Sequence, residues 1–138
     1  MPLTLEQTQQ LIAAAHDHAR GAGLSVTVAV VDEGGLLKGL GRMDGAPPLS
    51  AQIAEAKAVG AAVWHRDGDQ LAAVQDSRGA FFESVGRLTR LPLIPADGSV
   101  VIRDGGAVLG AVGVSGAKPE EDRECAEAGV SAVIAKSG

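Results

Sequence analysis

Lys57 is the residue whose placement asks most of its surroundings. In the pattern running from Ser50 to Trp64 it falls on one helical face with Ile53, Ala54, Ala61 and Trp64. An ammonium buried among small apolar side chains costs several kcal/mol, at about the scale of a whole domain's stability, unless an anion meets it. That anion is either a carboxylate of the chain or a bound ligand, and the residues leave both readings open. Arg42 and Asp44 flank the end of a predicted strand, in a loop of the kind that displays chemistry. Paired with Lys57 or Arg42, Asp44 would serve structure, and this is the preferred expectation because a buried Lys needs a fixed counter-charge. Open to solvent, Arg42 and Lys57 would instead bind a ligand carboxylate, and a desolvated Lys57, or Asp44, would serve as a base.

A second candidate is Gly113-Val114-Ser115-Gly116-Ala117, which ends a strand just before a helix and could aim backbone amides at a carboxylate or phosphate. The competing reading is close strand-to-helix packing that only Gly permits. Glu120, Glu121 and Asp122, in the first turn of the following helix, oppose a phosphate there. Of the three histidines, His16 and His18 are two residues apart and point to different sides of a helix, so they cannot chelate one metal together. His65 closes the helix of Lys57, where a surface role is expected. No Cys-x-x-Cys or His-x-x-x-His spacing suggests a metal site, and Gly110, Gly113 and Gly116 lack the spacing of a nucleotide loop. The single cysteine, Cys125, lies on a predicted helix and is expected to pack rather than react.

These residues need a scaffold, and the chain spells one out. Thr4, followed by Glu6 and Gln7, opens a helix over roughly 4–21 that the Gly21-Ala22-Gly23 segment stops. Residues 25–32 are β-branched and lead through Glu33-Gly34-Gly35 into 36–42, a hairpin. Pro47 and Pro48 interrupt regular structure, and Ser50 is expected to cap the helix of Lys57, which ends near Trp64-His65. Two short helices are predicted around 70–74 and 80–85. A second hairpin follows, 99–103 with 107–115 about Asp104-Gly105-Gly106, and Pro119 starts a last helix over roughly 119–136.

The order α-β-β-α-α-α-β-β-α predicts a three-layer α/β/α arrangement, an antiparallel sheet of about four or five strands with helices on both faces. Residues 25–31 and 108–114 are almost continuously apolar, as strands covered on both sides are. The whole chain, 1–138, reads as one domain. With no Tyr, one Trp, two Phe and nineteen Gly, its core must bring backbones together instead of filling space with rings, so a sizeable flat ligand is expected at a surface or between subunits.

A net charge of -5 with scattered basic residues argues against nucleic acid as a partner. No segment is long and apolar enough to cross a bilayer. Met1-Pro2-Leu3-Thr4 does not open an export signal, so the expected location is the cytoplasm.

Several blocks together resemble the GlcG/HbpS-like haem-degrading domain family, which also supplies the C-terminal part of PduO-type proteins. They are Val28-Ala29-Val30-Val31-Asp32 with Gly34-Gly35, Arg42-Met43-Asp44-Gly45-Ala46, Ala56-Lys57-Ala58, and Gly110 to Ala117 followed by Glu121-Asp122. They run in order along nearly the whole chain. The resemblance implies a profilin-like fold, assembly into dimers or larger homo-oligomers, and haem or a related tetrapyrrole as ligand in some members. Where such proteins often carry Gly-Gly-Val-Pro, this chain has Asp97-Gly98-Ser99-Val100, which adds a carboxylate near the expected site.

Three functions follow as expectations. The first is an oligomeric protein that binds haem or a compact anionic ligand through Arg42, Asp97, Gly113, Val114, Ser115 and Gly116, with Asp44 and Lys57 beside them and no histidine assigned as an iron ligand. The second is a cofactor-independent isomerase, cyclase or lyase acting on a small carbonyl or carboxylate compound, with Lys57 or Asp44 as acid/base. The third is a ligand-free assembly module in which the polar cluster fixes subunit register.

Overall fold

The computed structural model describes residues 2–134. Helix α1 (Leu5–Gly21) is opened by Thr4, whose hydroxyl accepts from the Gln7 amide while the Gln7 side chain accepts from the Thr4 amide, so two amides that the helix leaves unpaired are satisfied. Strands β1 (Thr27–Asp32) and β2 (Leu37–Arg42) follow, then helices α2 (Ser50–Trp64), α3 (Gly68–Ser77) and α4 (Gly79–Gly86). Strands β3 (Ser99–Asp104) and β4 (Ala107–Ser115) complete an antiparallel sheet of order β2-β1-β4-β3, and helix α5 (Pro119–Val133) closes the described chain. Among the described residues the sheet has four strands, the lower of the two expected numbers.

Helices α1 and α5 pack together on one face of the sheet and α2 lies across the other. Val28, Val30, Ile102, Val112 and Val114 meet Leu11, Ala15, Ala19, Cys125 and Ala126 on the first face. Val31, Val101 and Ala111 meet Ala58, Val59, Ala61 and Ala62 on the second. Alternation within β4 therefore sends apolar side chains both ways, which is why the strand reads as an unbroken apolar run.

Small residues set the spacing of the layers. At Gly113 a Cβ would strike the Ala54 carbonyl and lie 2.7 Å from the Ala58 nitrogen, so α2 rests directly on the backbone of β4. The few rings are gathered away from the sheet: Trp64 stacks on Phe82 at 5.1 Å and meets Phe81 edge-on, with the Arg78 guanidinium 4.2 Å over the Phe81 ring.

Two local expectations are corrected. Ser50 is the first residue of α2 rather than its cap; its hydroxyl bonds to the Pro47 carbonyl and, at 2.7 Å, to Thr27 at the start of β1, so it ties helix to strand. The last helix ends at Val133, with Ile134 extended, short of the expected 136; residues 135 and 136 lie outside the described residues. Among the described residues no helix is long and apolar enough to cross a membrane.

Candidate functional site

Arg42 ends β2, Thr27 begins β1 and Ser115 ends β4, and the three are in register across the sheet. The expected site residues therefore converge on one end of the molecule. There they divide into two groups.

The first group surrounds Lys57, which is only 6% exposed. Its ammonium donates to the Val114 carbonyl at 3.0 Å and to Asp122 Oδ2 at 3.3 Å. The counter-charge is Asp122, not Asp44. Asp122 lies in the first turns of α5 and is 2% exposed; its other oxygen accepts from the Ala117 amide at 3.0 Å. Burial pushes the Asp122 carboxyl above its ordinary range, and the Lys57 charge and the Ala117 amide pull it part of the way back. Gly98 completes the arrangement in a conformation that only glycine adopts readily, φ +116°, with its carbonyl accepting from the Val114 amide at 2.9 Å. A Cβ there would lie 2.7 Å from Lys57 Nζ.

Neighbouring residues serve the same enclosure. Asp97 takes its own loop's Gly98 amide with Oδ1, and its Oδ2 lies 3.5 Å from Arg123, which also approaches Asp69 at 3.7 Å. Ser115 is buried, and a Cβ on Gly116 would crowd the Ser25 carbonyl at 2.8 Å. One amide of the 113–117 segment does meet a carboxylate, but that carboxylate is the chain's own Asp122.

The second group is open to water. His16, Arg20, Arg42, Met43 and Asp44 line a recess of about 360 Å³ between α1 and the loop after β2. His16 Nε2 lies 3.0 Å from the Gly41 carbonyl, which can only accept, so this nitrogen is the donor of that bond. Arg20 pairs with Asp17 at 2.7 Å, whereas Arg42 has one long contact, 3.5 Å, to the Ala46 carbonyl. No ion pair within 4 Å joins Arg42 to Asp44 among the described residues. His18 points elsewhere, toward Glu124 at 4.0 Å, and His65 caps α2 in a left-handed conformation. No cluster of three or more His, Cys, Asp or Glu suited to a metal ion occurs among the described residues.

Sequence reasoning missed Asp122 as the partner of Lys57 and missed that His16 joins Arg42. The sequence did signal, through their i, i+4 spacing, that His16 and Arg20 share one helical face; nothing local placed Arg42 beside them.

A family model described as haem degrading protein HbpS-like matches residues 3–131. The chain belongs to the HbpS-like family. Protein GlcG of Escherichia coli K12 is 34% identical over 113 residues, 82% of this chain and 81% of GlcG. Among solved structures, HbpS of Streptomyces reticuli, as a double mutant, superposes with a TM-score of 0.85 at 30% identity, covering 95% of this chain and 86% of that one. A PduOC:heme complex superposes with a TM-score of 0.86 at 25% identity and 96% coverage of both chains. The HbpS-like fold is thus shared across the full width of the sheet and both helical layers.

Proposed function

We propose that this HbpS-like protein binds haem, or a compact ligand with similar carboxylates, at the open recess of His16, Arg20, Arg42, Met43 and Asp44. The observation that carries the reading is the gathering of an imidazole and two guanidiniums around one solvent-open recess. A relative of the same fold has been solved with heme, which supports the choice of ligand.

The residues fit such a group. Arg42, nearly without internal partners, meets a carboxylate in a bidentate manner, and Arg20 can exchange Asp17 for a second one. His16 supplies the imidazole, through Nδ1 as it stands or through Nε2 after releasing Gly41. Asp44 and Asp17 temper the positive charge, which favours carboxylates over polyphosphates. Haem, when bound, would supply iron redox chemistry that these side chains lack. Lys57 stays outside this reading because Val114 and Asp122 already engage its ammonium.

Titration with hemin tests the proposal. The wild-type chain should give a sharp Soret band at one equivalent. His16→Ala should shift that band, Arg42→Ala should weaken binding by about tenfold, and His18→Ala should leave both unchanged. Binding that is indifferent to His16 and Arg42 would overturn the reading.

A further inference from the structure

We infer that the ligand is an amphiphile, whose carboxylate meets the recess of His16 and Arg42 while its apolar body lies in an adjoining groove between α1 and β2; this rests on the reading above and narrows its ligand class. The groove, of about 340 Å³, is lined by Leu5, Ile12 and Ala13 of α1 and by Gly39 and Leu40 of β2. Its other lining groups are Thr8, whose hydroxyl is already given to the Thr4 carbonyl at 2.9 Å, the neutral Gln9 and His16. His16 also lines the recess, so groove and recess meet at one imidazole. Arg20, Arg42 and Asp44 all stand on the recess side.

The groove exists because β2 turns bare backbone toward α1. A Cβ on Gly39 would lie 2.8 Å from Thr8 Cγ2, and one on Gly41 would lie 2.6 Å from His16 Cε1. β2 is also an edge strand, and beside it Leu5, 57% exposed, and Leu40, 38% exposed, leave apolar surface open to water. The balance of forces then chooses the ligand. Arg42 is exposed, and an exposed ion pair contributes about fivefold or less in affinity. A compact hydrophilic acid would gain little more than that. An acid with an apolar body adds the burial of that body in an uncharged groove, while the guanidiniums orient its carboxylate.

Hemin and decanoate represent two sources of such a ligand, a tetrapyrrole and an acyl chain, and succinate is the compact control. Calorimetric titration of the full chain should give hemin or decanoate a dissociation constant at least about tenfold below that of succinate, and the tighter of the two identifies the source. Ala13 is exposed on α1, so substitutions there spare the fold, which circular dichroism verifies. Ala13→Glu and Ala13→Lys should both weaken the tighter ligand by at least about tenfold and leave succinate nearly unchanged. Effects of opposite sign in the two variants would reveal charge alone and overturn the inference. So would succinate binding as tightly as either amphiphile. Hemin binding that depends on His16 and Arg42 yet ignores both Ala13 variants would also overturn it and leave the reading above intact. Binding indifferent to His16 and Arg42, or no binding of any of the three probes, would overturn both.

Discussion

Lys57 and Asp122 meet at 3.3 Å from opposite layers of the molecule: one belongs to the helix on one face of the sheet, the other to a helix on the opposite face. The contact passes the end of β3 at Gly98, where no side chain intervenes. Removing one partner leaves the other as an uncompensated buried charge. Lys57→Met and Asp122→Ala should each cost about 3–5 kcal/mol in urea unfolding, whereas Lys57→Met combined with Asp122→Leu should recover most of the loss. Recovery in the double variant is the check that the pair serves cohesion; single variants with wild-type stability would contradict it.

Close contact between α2 and β4 makes a sharper demand at Gly113. Ala there has nowhere to place its methyl against the Ala54 carbonyl. Gly113→Ala should lose about 3 kcal/mol or more, the upper end of overpacking costs. Gly21→Ala, with open space around it, should be neutral or gain up to about 1 kcal/mol. Thermal unfolding of the two variants measures the contrast.

Burial pushes the Cys125 thiol up to about 11, with the charges of Asp122, Glu124 and Glu121 adding to the effect. The native state holds this proton more tightly than the unfolded chain, whose reference value is 9.0. The resulting stability is complete below pH 9 and is lost as pH rises through about 11, an effect of roughly 2–3 kcal/mol at most. Urea midpoints at pH 8 and pH 11 should diverge more for wild type than for Cys125→Ala. A disulfide-exchange reagent at pH 8 should leave the native thiol untouched.

His65 is the one non-glycine residue with positive φ, 55°, among the described residues. Its amide closes α2 on the Ala61 carbonyl, and its own carbonyl accepts from Arg103 at 2.8 Å. Those bonds are made by the backbone. His65→Gly should therefore keep them, relieve the left-handed strain and raise stability by up to about 1 kcal/mol. A lower melting temperature would mean that the imidazole ring itself holds the corner.

Much of this architecture was legible because it is local. The β-branched run before Glu33-Gly34-Gly35 and the apolar run ending at Ser115 identify buried strands, and Thr4 with Gln7 marks a helix start without tertiary help. Lys57 could be recognised as needing an anion because its own helix places it among apolar neighbours. Its partner could not be recognised: Asp122 is 65 residues away and follows Glu120 and Glu121, where three acids have a sufficient local reason in the helix dipole. Ser50 misled for a related reason. The turn from the Pro47 carbonyl to the Ser50 amide starts the helix one residue early and frees the hydroxyl for Thr27. His16 shares a recess with Arg42 only because α1 packs on β2, a relation set by tertiary structure.

With a single indole, stacked on Phe82 at the junction of α2 and α4, the molecule carries its own optical reporter. Trp64 lies at the end of α2, while the proposed ligand recess is lined from α1 and the loop after β2. Emission spectra recorded during urea unfolding would therefore report on the packing of α2 against α4, with no dye attached.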